Sequence, residues 1–164
     1  MDPYIEPGIP SAGDPARADQ RILRLTPDGQ AVPASTESIL RKRIEEIAQA
    51  IRDKDIDRLM TFYARDVVVF DVRPPLDTHG ADSYRENFER WFGSFDGPLS
   101  FDYVELRVKA GESTAFCHYL ALIVGARPDG RKSGYWARGT TCFERRNGEW
   151  LVTHEHISMP SSQG

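Results

Sequence analysis

The sequence is short of several things, and each shortage closes off a class of function. Only two cysteines, Cys117 and Cys142, occur in 164 residues, and no CxxC spacing is present. Each lies inside an apolar, strand-like stretch, so both read as reduced, buried thiols and not as a disulfide framework. No apolar run approaches the roughly 20 residues that a membrane-spanning helix needs. The opening MDPYIEPGIPSAGDPARADQ has neither a basic start nor an apolar centre. It does not read as a secretory signal, and a cytoplasmic location is the default expectation. No GxGxxG, phosphate-binding GxxxxGK[ST] or GxSxG pattern occurs, which leaves dinucleotide, nucleotide triphosphate and serine-hydrolase chemistry unsupported. Positive charge is also scarce: Lys and Arg number 21 against 25 Asp and Glu, for a formal net charge of -4. The densest basic run, Arg41-Lys42-Arg43, is followed at once by Glu45 and Glu46. It reads as the wet face of a helix, and no nucleic-acid partner is expected.

What is present points to one globular domain. Hydrophobic residues make up 40% of the chain and charged residues 28%, a balance that supports a packed core. Residues 1–34 stand apart, because Pro3, Pro7, Pro10, Pro15, Pro27 and Pro33 break any periodicity. This stretch is expected to be a flexible or extended arm, with a short extended piece at 21–25. The domain proper covers 35–164. A first helix, capped by Ser35 or Thr36, carries Leu40, Ile44, Ile47, Ala48 and Ile51 as one apolar stripe. Asp55 caps a second, shorter helix with Ile56, Leu59, Met60 and Tyr63 on its buried side. The β-branched run at 66–71 reads as a short strand, and Arg73-Pro74-Pro75-Leu76 must leave the sheet because proline cannot donate to a ladder. A third helix from about Asp82 carries Tyr84, Phe88, Trp91, Phe92 and Phe95. Four strands follow, at 99–109, 113–126, 133–145 and 150–159. Simple alternation places Val104, Leu106 and Val108 on one face and Tyr103, Glu105 and Arg107 on the other. Residues 113–145 are apolar on both faces, so alternation leaves their facing open.

This order of elements, the segment QAIRDKDIDRLMTFYARDVVVFD and the ending GEWLVTHEHISMP resemble the nuclear-transport-factor-two-like superfamily. Within it, the chain is similar to the SnoaL-like, ketosteroid-isomerase-homologue branch over about residues 36–160. The resemblance implies an α+β fold in which a cone-like, curved antiparallel sheet wraps around three N-terminal helices. It further implies a ligand in the open mouth of the cone and a homodimer formed through the outer sheet face. Tyr103, Glu105 and Arg107 are the candidates for that face.

Candidate chemistry is concentrated in the last strand. Trp150, Val152, His154 and His156 share one parity, so if Trp150 fills the core, both imidazoles look inward as proton donors, acceptors or ligand anchors. Glu155, of opposite parity, is expected to face away. Asp71 ends the first strand at the mouth. Ketosteroid isomerases and SnoaL-like cyclases resemble each other in using a buried aspartate as base, and Asp71 is the candidate here. Arg138, in mid-strand, faces either water or the interior; inside, its fork suits an enolate or carboxylate oxygen. Tyr63, Trp91, Phe92 and Trp136 are candidate pocket walls, with His79 at the mouth and His118 in the central strand. His154 and His156 supply two of the three or four ligands that zinc wants, so no metal and no cofactor is assigned. The functional expectation is a small-molecule-binding protein acting as a cofactor-independent isomerase, cyclase or lyase on a hydrophobic carbonyl compound. The alternatives are a non-catalytic module binding a ligand or a partner, and a structural dimer with a filled cavity.

Overall fold

The computed structural model describes residues 34–160. The expected arm lies outside the described residues apart from Ala34. Helix α1 spans Thr36–Arg52, and Ser35 caps it by accepting the Ser38 amide at 3.2 Å. Its stripe of Leu40, Ile44, Ile47, Ala48 and Ile51 is buried. Full burial of such side chains contributes about 1.5–3 kcal/mol for each large aliphatic. Helix α2 spans Ile56–Met60, and the Asp55 carboxylate accepts the Arg58 amide at 3.0 Å. No helix among the described residues is long and apolar enough to cross a membrane.

Strand β1 runs from Tyr63 to Phe70, three residues earlier than the sequence pattern suggests, so Tyr63 is a strand residue and not a helical one. The chain then leaves the sheet through the Arg73–Leu76 loop. It returns for a two-residue strand β2, Thr78–His79, that the sequence does not announce. Helix α3 spans Ala81–Gly93 and buries Tyr84, Phe88 and Phe92. Strands β3 (Asp96–Ala110), β4 (Thr114–Ala126), β5 (Lys132–Arg146) and β6 (Glu149–Ser158) follow.

The six strands form one mixed sheet in the order β2-β1-β6-β5-β4-β3. The β3 to β6 meander is antiparallel, as three short connections require. The β1–β6 pair is parallel, so the sheet is mixed at this one junction. Nearly the whole domain separates these two strands in sequence, so no hairpin fixes their relative sense. The core lies between the helices and the inner, concave face, where Phe143, Val67, Val69 and Val152 are fully buried.

Two interruptions of alternation decide which side chains face that core. In β3, Val104 pairs with Leu120 but Arg107 pairs with His118, so one extra residue is inserted. Glu105 takes a left-handed φ of 54° there, as a bulge allows. Tyr103 therefore packs inward together with Leu106 and Val108. The expected Tyr103-Glu105-Arg107 face is corrected: Arg107 alone of the three lies in regular register on the outer side. In β6, Phe143 pairs with Val152 and Cys142 with His154, which leaves Thr153 unpaired. Trp150 and Val152 face inward as expected, but beyond the bulge Glu155 is the buried residue, 5% exposed. His154 and His156 are carried to the outer side. The expectation of two inward imidazoles and an outward Glu155 is thus reversed.

Candidate functional site

A cavity of ≈150 Å³ opens between α3 and the inner sheet face. Its floor is a buried polar cluster to which six elements contribute. Glu155 comes from β6, and its Oε2 accepts the Tyr84 hydroxyl of α3 at 2.7 Å and the Tyr63 hydroxyl of β1 at 3.2 Å. Its Oε1 accepts the Thr141 hydroxyl of β5 at 2.9 Å. Thr141 Oγ1 lies 3.3 Å from the Tyr119 hydroxyl of β4. Tyr103 of β3 stands edge-on to Tyr119, with ring centroids 4.5 Å apart. No buried side-chain polar atom among the described residues lacks a partner.

The electrostatics follow from this burial. Loss of water pushes the Glu155 carboxyl above its ordinary range. The three donated hydroxyls pull the other way, and a smaller upward push comes from Asp71. Burial, with Glu155 next, also holds the phenols of Tyr63, Tyr84 and Tyr119 in the protonated form. Tyr103 is raised first by burial and then by Tyr119 and Glu155. The Cys117 thiol behind them is pushed up to about 12, again mainly by burial. The floor is therefore a set of proton-bearing oxygens in a place where water is scarce.

The body of the cavity is apolar, with Ile51, Phe88, Phe101, Ala121 and Ile123 on its walls. Trp91 closes one side, its indole N–H donating to the Tyr135 hydroxyl at 2.8 Å. At the mouth stand Asp71, Arg73 and Arg90. Asp71 Oδ1 accepts the Val72 amide at 2.6 Å. Burial raises the Asp71 carboxyl, while the Val72 amide and the Arg73 charge lower it.

Of the residues singled out from sequence, Asp71, Tyr63 and Trp91 are brought together on this cavity. Phe92 is buried in the core at 7% exposure, packed on Trp91 and Phe88. His79 is exposed in β2, with Nε2 3.0 Å from Asp77 Oδ2. Trp136 lies on the outer side of β5, since Tyr135 and Ala137 on either side of it line the cavity. His154 Nδ1 meets the Val68 carbonyl oxygen at 2.8 Å, and its ring stands edge-on to Phe70 at 4.9 Å. His118, Arg138 and His156 do come together, but in a groove on the outer face. Sequence reasoning missed Glu155, Tyr84, Thr141 and Tyr119 as a cluster. A single Glu between two histidines gives no local sign of the bulge that turns it inward. No group of three or more His, Cys, Asp or Glu converges among the described residues.

Comparison with known proteins fits this architecture. An NTF2-like protein of unknown function from Pseudomonas putida KT2440 shares 35% identity, with a TM-score of 0.69, over 76% of this chain and 86% of its own. The association domain of C. elegans CaMKII superimposes with a TM-score of 0.61 at 18% identity, over 75% of this chain and 95% of its own. The likeness in that second case is one of fold. No curated protein matches the chain. The sequence pattern of the SnoaL-like domain matches residues 40–162. With the helices, the curved mixed sheet and the cavity all in place, the chain belongs to the SnoaL-like domain family of the NTF2-like superfamily.

Proposed function

We propose that the cavity binds a small hydrophobic carbonyl compound and that the protein moves a proton on it without a redox cofactor. The observation that carries this reading is the pairing of two environments in one pocket. A fully buried carboxyl, Glu155, holds phenols at the floor, and a second carboxyl, Asp71, stands at the mouth; burial raises both. Two carboxyls in unequal environments divide into an acid and a base. Asp71, the more solvated, is the base that removes a proton from the carbon next to the carbonyl. Tyr84 and Tyr63 are the donors to the carbonyl oxygen as negative charge develops there. A protonated Glu155 can donate to one of these hydroxyls, which frees that phenol to donate onward to the ligand. Return of the proton to a different carbon completes an isomerisation.

Size narrows the ligand. An apolar cavity of about 150 Å³ holds one benzene-sized ring, and the volume here is ≈150 Å³. The substrate class is therefore carbonyl compounds that place a single ring or a shorter chain inside the cavity.

A second reading also rests on an observation. The floor network is complete in itself, as expected of a pocket that binds without reacting. One experiment separates the two. Single-ring ketones are screened by quenching of tryptophan fluorescence, and those that bind are incubated in D₂O while exchange of the hydrogens next to the carbonyl is followed by NMR. Catalysed exchange that falls 10²-fold or more in Asp71→Asn, with binding retained, is the expected result for a general base. Binding without exchange above the uncatalysed rate establishes the non-catalytic module instead.

A further inference from the structure

Two arginines stand at the mouth of the cavity, and the proton transfer gives neither of them a task. Arg73 lies in the loop after β1, and Arg90 lies in the last turn of α3. Both line the cavity together with Asp71 and Asn87, and each is tied to one of those two groups. Arg90 donates from Nη2 to Asn87 Oδ1. Asn87 in turn donates from Nδ2 to the buried Thr78 hydroxyl at 3.1 Å. A half-buried side chain therefore holds the Arg90 guanidinium at the rim. Arg73 is close enough to Asp71 for its charge to pull that carboxyl down against the upward push of burial.

Neither cation is neutralised where it stands. Arg73 makes no hydrogen bond and no ion pair among the described residues. Arg90 meets Glu86 at 3.9 Å, with both side chains more than half exposed, and such a pair contributes little. A guanidinium has five N–H donors in a planar fork, so most of the donors at the mouth are unused. The carboxyls that line the cavity are Asp71 at the mouth and Glu155 at the floor. With Asp71 ionised as the base and Glu155 protonated, two cations face one anion. The mouth then carries one positive charge in excess, on a chain of formal net charge -4.

We propose that the carbonyl compound bound in the cavity, on which this inference rests, is an oxo acid that leaves its carboxylate at the mouth on Arg73 and Arg90. Size requires this division. A space of ≈150 Å³ is filled by about one ring, so a charged group a few bonds from that ring emerges where the arginines stand. Burial requires it too, because a carboxylate in the apolar body would lack partners. Charge selects a monoanion. The guanidinium fork suits the two coplanar oxygens of a carboxylate, and one carboxylate cancels the excess. A dianionic phosphate would leave a surplus negative charge beside Asp71 and oppose its ionisation. In this order the carbon that loses its proton lies between the ketone at the floor phenols and the carboxylate, on the Asp71 side.

The test uses the full chain and two ligands of one shape, 4-oxo-4-phenylbutanoate and its primary amide, titrated by quenching of tryptophan fluorescence. The acid is expected to bind at least tenfold more tightly than the amide. That preference should shrink as salt is raised from about 0.05 M to about 0.5 M, because exposed charges are screened. Arg73→Gln and Arg90→Gln are each expected to weaken the acid at least fivefold and to move the amide less than twofold. Both side chains are exposed, and melting temperatures check that folding is intact. Arg85→Gln, an arginine of α3 that does not line the cavity, should leave the preference as it is. Ala137→Leu, at a wall of the cavity, should weaken acid and amide alike. The oxo acid is overturned if acid and amide bind equally, or if the preference survives both arginine substitutions combined. It is also overturned if the acid binds Ala137→Leu as tightly as the wild type, which places it on the surface. In each of these outcomes binding of the neutral amide leaves the cavity standing as a site for carbonyl compounds. If neither ligand binds, the cavity loses that role and the oxo acid falls with it.

Discussion

Glu155 is the residue on which the interior turns. A carboxyl out of water is costly unless its oxygens are satisfied, and here three hydroxyls from three other elements do so. Tyr84→Phe removes the shortest of these bonds, at 2.7 Å. It is expected to destabilise the fold by about 1 kcal/mol, since a second donor remains on the same oxygen; urea unfolding measures it. A sharper consequence concerns pH. The folded state holds the Glu155 proton to higher pH than the unfolded chain, whose ordinary glutamate value is 4.5. Folding therefore takes up a proton in that window. The associated stabilisation is complete below about 4.5 and is lost as pH rises through the raised folded value. Glu155→Gln deletes this dependence. The stability of wild type relative to the variant should decline as pH is raised above 4.5, measured by thermal melts at a series of pH values from 4 to 8. A difference that stays flat would show that Glu155 is not held protonated by its surroundings.

At the scale of elements, strand irregularities and small residues do the positioning. Gly139 of β5 sits opposite Tyr119, and a Cβ there would lie 2.4 Å from the Tyr119 ring. The ring crosses the strand where a side chain would be, and this directs its hydroxyl to Thr141. Gly139→Ala is expected to cost about 1–3 kcal/mol, as overpacking does, and to swing Tyr119 off the network. A melting-temperature drop with an altered near-ultraviolet tyrosine signal is the readout. The same scale explains what was legible in the chain. The helices were, because Leu40, Ile44, Ile47 and Ile51 repeat at helical spacing and Ser35 and Asp55 mark the starts. Five of the six strands and the family were legible too. Facing was not, because period-two alternation transmits one inserted residue to everything beyond it. Thr153 and Glu105 carry no mark that separates a bulge residue from its neighbours. Hence Glu155 was read as outward and His156 as inward, while Asp71, with no bulge between it and the mouth, was placed on the cavity side. The short β2 and the parallel β1–β6 pair escaped for a related reason, being set by long-range contacts.

For the whole molecule, the question is why a domain of this size keeps a hole next to its core. An apolar cavity of about 150 Å³ costs about 3–4 kcal/mol at about 24 cal/mol per Å³, a large share of the 5–15 kcal/mol that typically separates folded from unfolded chains. The volume here is ≈150 Å³, and its floor cluster already satisfies its own polar atoms. Folding alone does not need the space, and proteins that retain such destabilising features at a site usually do so for function. That trade can be tested by filling the cavity. Ala137 is 5% exposed and lines the cavity from β5, beside Tyr135 and clear of the Glu155 hydrogen bonds. Ala137→Leu extends three further carbons into the space. It is expected to raise the melting temperature by about 2–4 °C, corresponding to roughly 1 kcal/mol in a domain of this length, and to weaken binding of a single-ring ketone at least tenfold. A variant that melts lower yet binds the ketone as before would mean that the side chain at 137 meets packed atoms and not free volume, and the cavity would lose its standing as the binding site.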